Sequence, residues 1–423
     1  MLEKLLSFIH AALFPLTALL CALIPKLNKR KIFENKNLTN TESRSFQLSK
    51  LQADYCFEVS SEGELEQIRI ILEDLLTHQK KIELIICSPS VERAALKLFH
   101  DHSNSLRVLR LPLVTYGRLW GQSVSNWMTA PCLILCRYDF FPELTTLIQE
   151  KKSFLFAATL KNKDKLSYRL RKIYQSFDHI FTSTQLDQKK FSELVGEKRS
   201  HFLELRFLSI EKRQINLSQK FIEKKIMQDY ALWLQNFKGR KLVLGSLWPQ
   251  EISLLDDPKL REALLKGELH IALFPHLLDE TSINEIKSHL KRIISEIPVA
   301  IVKEGSPCSL FGGHHAIALV LEKGFLCEFY SYFDDAYVGG GFGRSIHSLL
   351  EAYMGDCRLY CGPKTYRSTE YDLVYELSPE NIFVLKEMKD FSHIFWQKHM
   401  SLDGTKRKSM IEWTKNHYKN LSL

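Results

Sequence analysis

The chain has 423 residues and is poor in the features that announce a specialised class. It holds 18 Gly and 13 Pro, too few for a collagen-like chain. Hydrophobic residues at 45% and charged residues at 25% exclude a disordered chain. The nine cysteines are scattered over a long chain, which excludes a small disulfide scaffold. Their number is odd, and most lie in apolar runs such as IELIICS and PCLILCR, so buried thiols in a reducing compartment are expected. Cys132/Cys136 and Cys357/Cys361 are each four apart, but in extended runs that spacing is about 13 Å, too far for one metal ion. No short internal repeat is visible, and no D-x-D stands in a loop. Charge of one sign is not extreme: the balance is +9, enough to admit an anionic partner and too little to choose one. No nucleic-acid recognition motif accompanies it.

Charge is missing altogether from Leu5 to Pro25. As a helix this stretch would reach about 31 Å, enough to cross a bilayer core, with Pro15 kinking it. Lys26, Lys29, Arg30 and Lys31 follow, which places the bulk of the chain on the cytoplasmic side of an inner membrane. A cleaved secretory signal is the alternative. It has a poor basic n-region, with Lys4 beside Glu3, and no clear small-x-small cleavage site, and it would export nine thiols. A helix lying in the interface is a further option, although residues 5–25 lack a polar face.

Apolar runs then alternate with helical patterns. The runs are Tyr55–Val59, Ile82–Cys87, Leu106–Leu111, Cys132–Cys136, Phe154–Ala158 and His179–Thr182, with helices such as Glu64–Thr77 and Leu166–Ser176 between them. A second series is Leu242–Gly245, His270–Phe274, Val299–Val302, Ile317–Leu321, Ala336–Val338 and Leu359–Gly362. This alternation predicts an α/β chain of two Rossmann-like domains, with ligands outside the carboxyl ends of the strands. The expected layout is a membrane anchor at 1–30, a first domain at 45–215, a linker at 216–239, a second domain at 240–395 and a helical tail at 396–423.

Four strand ends carry candidate chemistry. After Val59, Ser61 and Gly63 form a turn that opens a helix, and Glu64 in its first turn is placed to take a proton from a hydroxyl. The same S-x-x-E spacing is also a capping box, a purely structural alternative. After Val338 the glycines Gly339, Gly340, Gly341 and Gly343 lead through Ser345 to His347, Ser348 and Glu351. A strand running through glycines into a helix suits a phosphate. The run lacks the third glycine of a dinucleotide fingerprint and the Gly-Lys-Ser/Thr of a P-loop. Gly245-Ser246-Leu247-Trp248-Pro249 and Phe274-Pro275-His276 end two further strands, and Gly362-Pro363 ends another.

These motifs together resemble the Kdo transferases, family-30 glycosyltransferases of GT-B fold that move 3-deoxy-D-manno-octulosonic acid (Kdo) from CMP-Kdo to lipid A precursors. The resemblance spans nearly the whole chain. The S-V-G-E motif matches Ser61-Glu62-Gly63-Glu64, which implies that Glu64 is the general base. The strand-end motif (T/Y)-E-(I/F)-W matches Tyr138-Asp139-Phe140-Phe141 and gives Asp139 as a second acid. G-S-x-W-P-x-x-E matches Gly245, Ser246, Trp248, Pro249 and, shifted by one, Glu251. Pro275-His276 matches a P-H element, and V-G-G-G-F-G-x-x-I-H-x-x-L-E-A matches Val338 to Ala352. The chain departs from the pattern at Ser348, where the family has Asn, and at Asp139. The family's N-A-R-(L/M)-S element is reduced to Ala157–Lys161, without its arginine, and its G-D-T-R-F-D element to Glu204–Leu208, which keeps Arg206.

The resemblance implies an inverting, metal-independent enzyme with no cofactor. A CMP-Kdo donor would rest on Gly339–Ser345 with Ser246 and His276 nearby, and the acceptor would be a phosphorylated lipid A precursor. Arg206, Trp248, His347, Ser348 and Glu351 are carried over as further substrate contacts. The cluster Lys151, Lys152, Lys161, Lys163, Lys165, Arg169, Arg171 and Lys172 would face an anionic, membrane-borne acceptor. Partners are donor, acceptor and membrane, not nucleic acid. The alternatives are a GT-B enzyme with another nucleotide sugar or acceptor, and a catalytically silent membrane-bound homologue.

Overall fold

The computed structural model describes residues 20, 21, 23–44, 52–115, 124–137, 139–160, 166–305, 317–397 and 404–421. They form two compact units. One runs to Arg206 and includes the C-terminal residues from His417, and the other is Phe207–Asn416. The first unit holds strands β1 (Tyr55–Val59), β2 (Ile82–Ile86), β3 (Leu106–Arg110), β4 (Cys132–Cys136), β5 (Lys152–Ala158), β6 (His179–Thr182) and β7 (Ser200–Phe202). Their order is β3-β2-β1-β4-β5-β6-β7, and every pair is parallel. Helices cover both faces of such a sheet, so its strands read as near-continuous apolar runs. β2 (IELII) and β4 (CLILC) are buried throughout. Their side chains join a core that includes Leu109, Trp127, Leu144, Tyr174 and Phe191.

The chain winds outward from β1 to β3 and then returns to the other side of β1 with β4. Connections after β1 and β4 therefore leave in opposite directions and open a crevice beyond their carboxyl ends. The Glu62–Thr77 helix follows β1 directly, and Pro142–Glu150 follows β4.

The edge strand β3 is closed by the chain's own N-terminal part. In the Pro25–Thr39 helix, Asn37 donates through Nδ2 to the Arg110 carbonyl (2.7 Å) and accepts the Arg110 N–H on Oδ1 (3.0 Å). The amide thus imitates a neighbouring strand, which blunts an exposed edge. Glu34, on the same helix, accepts the backbone N–H groups of Leu113, Val114 and Thr115, and pairs with Arg30. The Arg30 guanidinium also reaches the carbonyls of Cys87 and Leu111. Arg30, read in the sequence as part of the basic flank, is a structural pin. Most of the apolar stretch 5–25 lies outside the described residues, and among those residues no helix is long and apolar enough to cross a membrane. Asn37→Ala is expected to lower stability by about 2–4 kcal/mol, because it orphans two buried backbone groups. An unchanged urea midpoint would show that the edge finds other partners.

The second unit holds β8 (Arg240–Leu247), β9 (Leu269–Pro275), β10 (Val299–Val302), β11 (Ile317–Val320), β12 (Asp335–Val338), β13 (Arg358–Cys361) and β14 (Ile382–Val384). The order is β10-β11-β9-β8-β12-β13-β14, again all parallel. Here the return falls between β8 and β12. The segment 216–239, which its composition reads as a linker plus a helix, is helical over Leu217–Glu223 and Lys225–Asn236 and falls within this unit. Met227, Tyr230 and Leu234 are buried there, at the i, i+3, i+7 spacing of one helix face. The eight described cysteines are free thiols and buried.

Candidate active site

In the first unit the candidates gather at the β1/β4 crevice. Ser61 caps the Glu62–Thr77 helix, its Oγ accepting the Glu64 N–H at 3.3 Å. The Glu64 carboxylate folds back and accepts the Ser60 N–H at 2.6 Å on Oε2. Ser61 therefore caps the helix, and the bond from the Ser60 N–H, one residue before the cap, holds the carboxylate in one place. Glu64 is only 6% exposed. Burial raises its pKa above the usual carboxylate range, and Asp139 beyond β4 adds to the rise, while the Ser60 N–H and Arg137 oppose it. A Cβ on Gly63 would meet nothing nearer than Ser61 Oγ at 4.0 Å, so the turn is open at this position. Tyr138 lies outside the described residues.

The same crevice contains a third acid. Glu58 on β1 is 1% exposed, and burial pushes its pKa up to about 8. It stands alone among apolar strand residues, a signal that strand patterning alone does not read as function. Arg206 does not present its guanidinium outward. It is buried in a two-pronged pair with Glu204, Nε to Oε1 at 2.8 Å and Nη2 to Oε2 at 2.7 Å. The basic cluster is only partly described: Lys161, Lys163 and Lys165 lie outside the described residues.

In the second unit three aromatic rings form a stack at the β8/β12 crevice. Trp248 follows β8, His276 follows β9 and His347 follows the turn after β12. The His276 and His347 ring centroids are 4.1 Å apart at 22°, and those of Trp248 and His276 are 4.8 Å apart at 27°. Trp248 Nε1–H donates to His347 Nε2 at 3.1 Å. A neutral His347 then carries its own proton on Nδ1. Burial, with His276 beside it, lowers the His347 pKa to about 4, and burial lowers that of His276 also. Ser246 lies at a register shift between β8 and β9 and takes φ +51°, a left-handed conformation seldom held without reason.

The glycine run is not the open phosphate cradle that its sequence suggests. Glu251, fully buried, fills it from the β8 side. Its Oε1 accepts the Gly340 N–H at 2.9 Å and the Tyr337 hydroxyl at 2.8 Å, and its Oε2 accepts the Trp248 N–H at 3.0 Å. Burial raises the Glu251 pKa despite these donors. A Cβ on Gly341 would lie 2.7 Å from Gly362, so this glycine serves the approach of two turns. Gly340 has φ +93°, and a Cβ there would meet the Ser345 carbonyl at 2.4 Å and His347 at 2.9 Å. The next helix starts at Leu349, and Glu370 already accepts the Leu350 N–H and the Ser348 hydroxyl. Glu351 pairs with Arg213 at 3.1 Å, and burial lifts its pKa to about 7. What faces outward at the turn is cationic. Arg344 is exposed, and Lys364 on the adjoining turn donates to the Gly343 carbonyl.

No protein-family profile matches the chain, and no curated protein matches it. Solved structures do. UDP-GlcNAc 2-epimerase from Methanocaldococcus jannaschii is similar over 86% of this chain and 99% of its own, at 9% identity and a TM-score of 0.51. The enzyme of that name from Neisseria meningitidis, bound to UDP-GlcNAc, is similar over 86% and 94%, at 12% identity and a TM-score of 0.48. The C-terminal CMP-Kdo-binding domain of WaaA from Acinetobacter baumannii is similar over 48% of this chain and 99% of its own, at 15% identity and a TM-score of 0.35. The first of these likenesses fixes the fold class: two Rossmann-like domains of the GT-B kind.

Proposed function

We propose that the chain is an inverting glycosyltransferase that moves Kdo from CMP-Kdo to a phosphorylated lipid A precursor at the cytoplasmic face of an inner membrane, with the apolar N-terminal stretch as its anchor. The observation that carries the reading is the placement of Glu64. It is a buried carboxylate of raised basicity, fixed by Ser60 and Ser61 at the switch point of the first sheet, with a second acid, Asp139, across it. A base in that position takes the proton of the acceptor hydroxyl as its oxygen attacks the anomeric carbon of Kdo. CMP leaves from the opposite side, and the configuration inverts.

The second unit suits the donor. The Trp248–His276–His347 stack offers flat faces and a neutral imidazole N–H. Arg344 and Lys364 supply positive charge beside the turn, where the leaving phosphate gains charge in the transition state. In this reading the glycine turn positions side chains around CMP instead of wrapping its phosphate in backbone N–H groups.

Purified full-length protein in detergent, given CMP-Kdo and a tetraacylated lipid A precursor, is expected to yield a product heavier by one or more Kdo units. A panel of UDP- and GDP-sugars is expected to give none, and transfer from one of those in place of CMP-Kdo would defeat the donor assignment. Saturable CMP binding without any transfer would identify a silent homologue. Trp248→Ala is expected to weaken CMP binding about 10–100-fold, from lost stacking and a freed His347. Unchanged CMP affinity in that variant, by calorimetry, would place the nucleotide elsewhere.

A further inference from the structure

Glu58 has no part in the reading above, yet it is among the most unusual side chains in the first unit. It sits on β1, inside the sheet of that unit, and is 1% exposed. Its Oε1 accepts the Cys87 thiol at 2.9 Å and the Ser60 hydroxyl at 3.1 Å. Its Oε2 is buried and has no hydrogen-bond partner among the described residues. None of those residues bonds a cation to it. Arg30 bonds Glu34 and the carbonyls of Cys87 and Leu111 instead of Glu58, and Arg137 acts on Glu64. The other titratable groups that face it are acids or thiols: Glu64 on the following helix, Asp139 beyond β4, and Cys87 beyond β2. Burial pushes the Cys87 thiol up, so it stays a neutral donor. An ionised carboxylate with an orphaned oxygen, no counter-ion and two acids nearby is too costly to persist.

Ser60 joins this group to the candidate base. Its hydroxyl bonds Glu58 and its backbone N–H bonds Glu64, so one residue fixes the distance between the two acids. We propose that Glu58 is a positioning residue for Glu64: a carboxyl that stays protonated beneath the catalytic turn, holds Ser60 in place, and leaves Glu64 as the charged acid of the pair. This rests on the assignment of Glu64 as the base. The charge state follows burial: the pKa is lifted from 4.5 to about 8. The folded state therefore holds more protons than the unfolded state between those values, and stability falls as pH rises through that window. Above it, a second negative charge beside Glu64 makes Glu64 a stronger base and loosens the turn.

The test compares wild type, Glu58→Gln and Glu58→Ala as full-length protein. Infrared difference spectra at pH 7 are expected to show a protonated carboxyl in wild type that is absent from Glu58→Gln. The melting temperature of wild type is expected to fall from about pH 5 to pH 8, and that of Glu58→Gln to fall less over the same range. With CMP-Kdo and acceptor, Glu58→Gln is expected within about threefold of wild-type kcat at pH 7 and without the upper inflection of the wild-type pH profile. Glu58→Ala, which cannot hold Ser60, is expected to lose about tenfold or more in kcat with the donor KM unchanged. If it does not fold, Glu58→Gln carries the test. Carboxyl intensity in Glu58→Gln equal to that of wild type, or an upper inflection that persists there, overturns the proposal. Absence of transfer by wild type overturns the enzyme reading instead, and the infrared and melting data then decide the protonation of Glu58 alone.

Discussion

Glu64→Gln is expected to reduce the proposed Kdo transfer by about 10²–10⁴-fold in kcat while the melting temperature and CMP affinity stay near wild type. The substitution separates the two roles that one side chain holds. As a capping residue, Gln serves nearly as well as Glu, since its carbonyl oxygen can accept the Ser60 N–H in place of Oε2. As a base it fails, because an amide does not take a proton near neutral pH. Normal turnover in the Gln variant would therefore mean that the residue only caps its helix. The pH profile gives a second reading. The base must be ionised, so kcat/KM of wild type rises with pH through the Glu64 pKa, which burial and Asp139 hold above the ordinary carboxylate value. Asp139→Asn removes one cause of that rise and is expected to shift the acid limb to lower pH, toward the usual range.

The sheets are legible in the sequence because their strands are apolar on both faces. Runs such as IELII, broken only by Glu83, and CLILC are short and separated by helices, which leaves few other readings. The strands that escape, Ser200–Phe202 and Ile382–Val384, are three residues long and lie at sheet edges. At that length no periodicity exists to detect. The helix at Pro25–Thr39 escapes for another reason. Its buried residues Phe33, Glu34 and Asn37 are mostly polar, and they pair with groups far along the chain. Local patterning cannot distinguish a polar helix that caps an edge from a polar linker.

The candidate site is legible in part. Strand-end motifs bring Glu64 to the acid crevice, and Trp248, His276 and His347 to one stack. For other residues the fold supplies a partner that the sequence does not announce. Arg206 looks like a ligand contact in the sequence, but its neighbour Glu204 folds back to hold it in a fork. The glycines look like a cradle because glycine permits close approach, and sequence does not say by what. The visitor is the protein itself: Gly362 against Gly341, and the Glu251 carboxylate, 89 residues away, against Gly340.

Glu251→Ala is accordingly expected to be the most damaging single change in the second unit, at about 3–6 kcal/mol of stability and a loss of CMP binding. Three donors lose their acceptor: the backbone N–H groups of Trp248 and Gly340 and the Tyr337 hydroxyl. Tyr337 is fully buried, so water offers no simple replacement. Gly340, at φ +93°, depends on its neighbours to hold a turn that packs directly on His347. Once it relaxes, His347 leaves Trp248 and the stack opens. Glu251→Gln is the graded control. Its oxygen can keep two donors, but its amide must then meet the Trp248 N–H, two donors face to face, so an intermediate cost of about 1–3 kcal/mol is expected. Chemical denaturation and CMP titration of the two variants measure both effects. If Glu251→Ala proved as stable as wild type and bound CMP normally, the turn would be held by something other than this carboxylate, and an open anion cradle at Gly339–Ser345 would again be the better description.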